Sequence, residues 1–356
     1  MAPSRLRPFM MLRKLKLATV HAANALGICS ALMKTQWRRQ RLLILSYHGV
    51  SLDDEHLWNP GLYMHREQLR ERFTALKKWR ANVIPLDQAI SDLYSGQLPE
   101  RSVVLTFDDG MYDFYAVAHP LLKEFGFPST VYLTTYYSGF NRPVFDVMCS
   151  YLLWKGRACR LRWPEVLSGE VNLDEAGREI ADQQIKAFAR ERGLSGHEKD
   201  VLLASLAERL RVDYEDLCRR RILHIMTPDE VAQIAAGGTD IQLHTHRHRV
   251  SAQREPFLQE LHDNRSRIPS KSSLRHFCYP GGFYLPQFVE WLRDDGILSS
   301  TTCEPGMASK KSNPLLLPRL VDHAGIPRAE FVAWLSGFGS LLPHRARQMS
   351  EGYLLD

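Results

Sequence analysis

Two short stretches hold residues whose types and spacing could do hydrolytic chemistry. Thr106-Phe107-Asp108-Asp109-Gly110 follows the apolar run Val103-Val104-Leu105, and His244-Thr245-His246-Arg247-His248 follows Ile241-Gln242-Leu243. Two adjacent carboxylates at the end of a buried strand are costly unless something pairs them. One carboxylate with two imidazoles four residues apart makes a three-ligand set for a divalent ion, with a fourth position for water. The second carboxylate can then take a proton from that water. Taken singly, each group has a structural reading: Asp-Asp-Gly suits a turn, and a histidine at a strand end is commonly just hydrogen-bonded. Their joint placement at strand ends is harder to explain that way and points to metal-dependent hydrolysis.

The elements that must position these residues alternate between strand and helix. Leu42 to Tyr47 reads as a buried strand ending at His48, and Val103 to Phe107 as the strand that delivers Asp108 and Asp109. Between them, residues 65–79 carry Leu69, Phe73 and Leu76 on one helical face, and Leu86 to Tyr94 forms another helix after a short strand from Val83. His119 to Phe125 is helical, and Ser129 to Leu133 is β-branched and aromatic, as strands are. Such alternation implies a parallel sheet, open or closed into a barrel. Residues 144–226 are instead mostly helical and charged, an insertion between two strands. Thr227-Pro228-Asp229-Glu230 is a capping box with proline at the first helical position, so a helix starts there. Asp240 to Leu243 is the strand that presents His244. After it come a helix over Pro256 to Ile268, a strand over Phe277 to Pro280 entering the Gly281-Gly282 turn, a helix over Pro286 to Asp295, and strands over Ser299 to Thr302 and Leu315 to Val321. In an α/β barrel the carboxyl ends of the strands are where reactive groups gather.

The chain has 356 residues, 44% hydrophobic and 24% charged, enough for one large α/β domain with additions. Six scattered cysteines contain no CxxC pair, which excludes a cysteine-based structural zinc cluster and a disulfide framework. The net charge of +6 is concentrated near the amino end, at Arg5, Arg7, Arg13, Lys14, Lys16, Lys34, Arg38, Arg39 and Arg41. No nucleic-acid-binding motif accompanies these cations, so an anionic membrane surface is the better partner and nucleic acid is not expected; a solvated positive tail is the plain alternative. Leu15 to Met33 is short for a membrane span. It suits an interfacial helix through Leu17, Val20, Ala25, Ile28 and Leu32, or an ordinary helix packed on the domain. The organisation expected is a basic segment 1–41, a catalytic domain 42–339 and a tail 340–356. Cell-envelope, membrane-associated or extracytoplasmic placement is favoured over a cytoplasmic one.

With these residues in hand, the sequence resembles the polysaccharide deacetylases of the NodB-homology group, carbohydrate esterase family four. Thr106-Phe107-Asp108-Asp109-Gly110 matches that family's first motif, and His244-Thr245-His246-Arg247-His248 its H-[ST]-x-x-H motif. The resemblance covers about Leu42 to Asp322 apart from the helical segment. It implies a distorted (β/α) barrel of about seven strands and one divalent ion, zinc by preference. It implies Asp109, His244 and His248 as ligands and Asp108 as general base. The pairing of His244 with His246 is the alternative ligand set.

Leu45-Ser46-Tyr47-His48-Gly49-Val50 resembles the permuted subgroup that includes the poly-β-1,6-N-acetylglucosamine deacetylases. There the acidic histidine comes first, which implies His48 as general acid, with His323 the competitor. In Phe277-Cys278-Tyr279-Pro280-Gly281-Gly282, Cys278 stands where the family usually has an arginine that orients the base. Arg275 or Arg319 could take that role. Gly281 fits the N–H facing the oxyanion. Tyr279 and Tyr136 are expected to contact substrate, Tyr136 as a ring on which a sugar can stack. The implied function is N-deacetylation of an N-acetylhexosamine polysaccharide or glycolipid. The alternatives are a glycan-binding module of the same fold that has lost catalysis, or a metal hydrolase of a non-sugar amide.

Overall fold

A computed structural model describes residues 6–269, 273–344 and 351–354. Among them, nine strands form one sheet. Seven are parallel neighbours curled into a distorted barrel, in the order Ser299–Thr301, His276–Cys278, Asp240–Leu243, Thr130–Leu133, Ser102–Phe107, Arg41–Tyr47 and Leu320–Val321. Ala308–Ser309 adds an antiparallel pair to Arg41–Tyr47, and Asn82–Val83 a parallel one to Ser102–Phe107. A bridge from Thr301 to Leu317 brings the run before Leu320 back to the other edge, so the two edges meet through residues 317–321.

The central strands are buried along their whole length, which is why they read as continuous apolar runs rather than alternating ones. Helices Arg66–Lys78, Leu86–Ser95 and Arg254–Arg267 cover the sheet, and Phe73, Leu76, Leu93, Phe257 and Leu261 are buried beneath them. The last expected strand is shorter than its apolar run. Pro314 and Pro318 lack the N–H a ladder needs, so only Leu320 and Val321 pair regularly.

Between Thr130–Leu133 and Asp240–Leu243 the chain builds helices Phe145–Lys155, Glu175–Glu191, Gly196–Leu210 and Tyr214–Arg219, with one small hairpin of Arg160–Leu161 and Val171–Asn172. The capping box at Thr227 forms as its residues dictate: Thr227 accepts from the Glu230 N–H and Glu230 accepts from the Thr227 N–H.

At the amino end, helix Leu6–Ala25 packs on Arg328–Ser336, with Val20, Ala23 and Cys29 buried against Ala333. Leu15, Leu26 and Ile28 remain exposed. No helix among the described residues is long and apolar enough to cross a membrane. Residues 1–5, with Arg5 of the basic cluster, and residues 345–350 and 355–356 of the expected tail lie outside the described residues, as does the Arg7 side chain.

Candidate active site

Register brings the reactive residues together. Tyr47 is paired with Phe107, so the next residues, His48 and Asp108, emerge side by side at the carboxyl end. Leu133, Leu243 and Phe277 lie level across three strands, which puts His244 beside Cys278 one step further on. The His48 Nε2 lies 3.6 Å from Asp108 Oδ2.

Adjacent carboxylates must be turned apart to do different work. Asp109 and Gly110 both adopt left-handed backbone, with φ of 68° and 76°. Gly110 is needed for space as well: a Cβ there would lie 2.3 Å from Leu133 Cδ1. Gly110→Ala is therefore expected to cost more than about 1 kcal/mol in urea unfolding and to lose metal affinity with it.

The histidine loop is neither extended nor helical. Thr245 and His248 are left-handed, with φ of 62° and 58°, and these two reversals return His248 to the side of His244. Unusual backbone of this kind is concentrated at functional sites. Asp109 Oδ1 is 3.2 Å from His244 Nε2 and 3.2 Å from His248 Nε2. The two imidazole centroids are 4.7 Å apart. His246 turns the other way, with Nδ1 2.9 Å from Thr135 Oγ1, and takes no part in this cluster.

The cluster fits a divalent ion by its own chemistry. Asp109 Oδ1 and His244 Nε2 are buried without a hydrogen-bond partner. His244 Nδ1 lies 2.7 Å from the Cys278 carbonyl, which places an N–H on Nδ1 and turns Nε2 towards Asp109. Burial opposes charge on Asp109, but His248 and His244 outweigh it and hold the carboxyl below the usual carboxylate range. Burial pushes His248 down to about 4 against the pull of Asp109. His248 is thus neutral and ligand-ready at neutral pH, whereas Cys278 and Asp109 outweigh burial and raise His244, which would give up its Nε2 proton to a divalent ion.

Asp108 sits in a different environment, 2% exposed. Burial opposes its ionisation, yet Arg319 and His48 bring it down to about 2. Arg319 makes a two-pronged contact, Nη1 to Oδ1 at 2.8 Å and Nη2 to Oδ2 at 2.6 Å, and Ser46 Oγ donates to Oδ2 at 3.2 Å. The guanidinium is itself held by Nε donating to the Thr302 carbonyl at 2.7 Å.

Of the two arginines considered for this role, the structure places Arg319 on Asp108. Arg275 lies at the opposite end of its strand, paired with Asp87. Cys278 leaves room for that guanidinium, which donates to Sγ at 3.0 Å. Burial pushes the Cys278 thiol up, so it stays protonated.

Asp108, His244 and Cys278 form a second close group. It shares His244 with the first and already holds the Arg319 cation, so it is the poorer seat for a metal.

His323 lies on an outer turn, Nδ1 3.3 Å from the Pro60 carbonyl and accepting from the Gly325 N–H. The expectation of a substrate contact through Tyr279 is corrected: its ring is fully buried, packed on Phe277, and its hydroxyl donates to the Leu315 carbonyl at 3.0 Å. Tyr136 is 36% exposed and stands edge-on to His246 at the rim. Gly281 sits in a left-handed turn with φ 59°.

Asn264 escapes a motif reading. It is fully buried, accepts from the His244 N–H at 3.0 Å and donates to the Leu133 carbonyl at 2.9 Å, pinning the ligand strand. The signal for it was a polar residue in line with Phe257 and Leu261 on the apolar face of one helix.

A parallel α/β barrel carries an Asp-His-His cluster and an Arg-clamped carboxylate at its carboxyl rim, and the cluster is one that could hold a divalent ion. Residues 95–156 match the polysaccharide deacetylase family model. The chain is 32% identical over 102 residues to the poly-β-1,6-N-acetyl-D-glucosamine N-deacetylase of Escherichia coli K12, a stretch that is 28% of this chain and 15% of that protein. The chain thus spans only a small part of that relative's length. Among solved structures, the Streptococcus pyogenes deacetylase PplD in complex with acetate superposes with a TM-score of 0.54 at 17% identity, covering 83% of this chain and 98% of that one. IcaB from Ammonifex degensii gives 0.50 at 16% identity, covering 83% and 97%; these two likenesses show the fold. Part of the chain thus matches a polysaccharide deacetylase family model, and the chain is similar to the poly-N-acetylglucosamine deacetylases.

Proposed function

We propose that the chain is a metal-dependent N-deacetylase of an N-acetylhexosamine glycan, with a poly-β-1,6-N-acetylglucosamine type of polymer as the first substrate to test. One observation carries the reading: three potential ligand atoms from Asp109, His244 and His248 converge beside an ionised Asp108 that is not one of them. Asp109 Oδ1 and the two Nε2 atoms would hold a divalent ion, zinc by preference. When bound, such an ion supplies Lewis acidity, lowering the pKa of a water and polarising a carbonyl.

The chain's own residues do the rest. Asp108 accepts the proton of the attacking water at Oδ2. The Arg319 clamp fixes the orientation of that carboxylate and keeps it ionised, at the expense of basicity. His48 Nε2, on the same side, delivers a proton to the leaving nitrogen, which cannot depart as an anion. The Gly281 N–H is assigned to the oxyanion, and Tyr136 to a sugar ring at the rim.

His48→Ala is expected to lower acetate release about 100-fold or more with zinc content unchanged, and His323→Ala to change it less than about threefold. The reverse pattern would make His323 the acid.

The basic amino end and the exposed Leu15, Leu26 and Ile28 support peripheral contact with an anionic membrane, and through it an envelope location. The domain limits 42–339 and an insertion over 144–226 that shapes the glycan groove belong to the same proposal. The experiment is acetate release by the zinc-loaded chain from β-1,6-linked N-acetylglucosamine oligomers and from chitooligosaccharides. Release from the first supports the reading. Stoichiometric metal with no acetate from any glycan returns the chain to a binding module or a hydrolase of another amide.

A further inference from the structure

We propose that the carboxyl-terminal tail completes the active site, with Tyr353 as the wall that sets which acyl group enters; this rests on the deacetylase reading. Residues 351–354 lie at the barrel rim. Leu354 bridges to Val250, and the Val250 N–H donates to the Tyr353 carbonyl at 2.8 Å, two residues beyond ligand His248. This anchorage sets the Tyr353 ring perpendicular to the His248 imidazole, with centroids 5.4 Å apart. The same ring lies over Gly281: a Cβ at that glycine would fall 2.1 Å from Tyr353 Cε2. The aromatic ring therefore spans the gap between a metal ligand and the backbone N–H assigned to the oxyanion.

A tail in that position could wall the pocket or plug it. Its effect on exposure favours a wall. With Tyr353 seated, the Asp109 side chain is still 23% exposed and that of His248 32%. Solvent thus reaches the cluster beside the ring. An acyl group whose carbonyl carbon is attacked here has its methyl end directed along a rigid aromatic surface. Rigid apolar walls discriminate against added methylenes, each worth about 10-fold or more.

The test uses the full chain loaded with cobalt, whose visible spectrum reports carboxylates that enter the site. Acetate is expected to bind at least about tenfold more tightly than propionate in the wild type. Tyr353→Ala should cut that preference below about threefold, Tyr353→Leu should weaken it, and Tyr353→Phe should keep it. An unchanged preference in the Ala and Leu variants, or no preference in the wild type, overturns the proposal. Tighter binding of both carboxylates by Tyr353→Ala would identify a plug and overturn it as well. Because no glycan is used, a chain that sorts carboxylates through Tyr353 but releases no acetate from glycans leaves this inference standing and removes the glycan reading. A wild type that takes up no cobalt ends both.

Discussion

Asp108→Asn is expected to reduce acetate release by about 100- to 10,000-fold while zinc remains bound at the wild-type level. The reason lies in the division of labour between neighbours. Asp109 Oδ1 faces the imidazoles at 3.2 Å, whereas Asp108 spends both oxygens on Arg319 and lies 3.6 Å from His48. An amide at 108 keeps the shape, and one Arg319 contact, but has no lone pair basic enough to take a proton from water. Asp109→Ala should show the opposite order of losses, metal first and turnover as a consequence. Zinc content and acetate release measured on the same preparations separate the two. Equal metal loss in both variants would place Asp108 among the ligands.

Arg319→Met carries the second large effect. The guanidinium and Asp108 are both buried, and removing one partner strands the other charge at a cost of about 3–5 kcal/mol. Chemical denaturation of the metal-free chain measures it. The sign with pH follows from the depressed carboxyl. Asp108 stands at about 2 in the fold, below the ordinary carboxylate value of about 4, so the pair stabilises fully above that value. Its contribution fades as pH falls from about 4 towards about 2; the stability gap between wild type and Arg319→Met should begin to narrow above about 4, where the variant's raised carboxyl already takes its proton, and go on closing towards about 2. A gap independent of pH would mean that the arginine stabilises by packing alone. Turnover in the variant should fall too, because burial without a countercharge raises the Asp108 carboxyl and leaves the base protonated nearer neutrality.

Much of this arrangement could be read from the chain. Strands such as Leu42 to Tyr47 and Val103 to Phe107 announce themselves because a parallel stave buried on both faces must be apolar throughout. The helix at Pro228 follows from a capping box whose reciprocal bonds are local. The site was legible where chemistry is written in adjacent residues, as in Asp108-Asp109-Gly110.

It was not legible where the partner comes from another stave. Arg275 and Arg319 are equally good arginines in sequence. Only the register that pairs Leu320 with Leu45 and Val321 with Ser46 shows that the residue before Leu320 reaches Asp108, while Arg275 precedes its strand and ends up near Asp87. Tyr279 departs from its expected role for a related reason: a ring next to a Pro-Gly turn looks available in sequence, but it fills the space against Phe277 and donates to the Leu315 carbonyl. Asn264 and Tyr353 had no motif around them, and their roles exist only once a helix and a tail are docked on the rim.

The claim on which the mechanism depends is that Asp109, His244 and His248 form one coordination sphere. X-ray absorption spectroscopy of the zinc-loaded chain tests it most directly, because Zn–N and Zn–O distances of about 2.0–2.2 Å are resolved from Zn–S at about 2.3 Å. One equivalent of zinc with two imidazoles, light-atom neighbours only and no sulfur is the predicted result. A sulfur neighbour would move the ion to Asp108, His244 and Cys278, and a spectrum without imidazole scattering would contradict the site altogether.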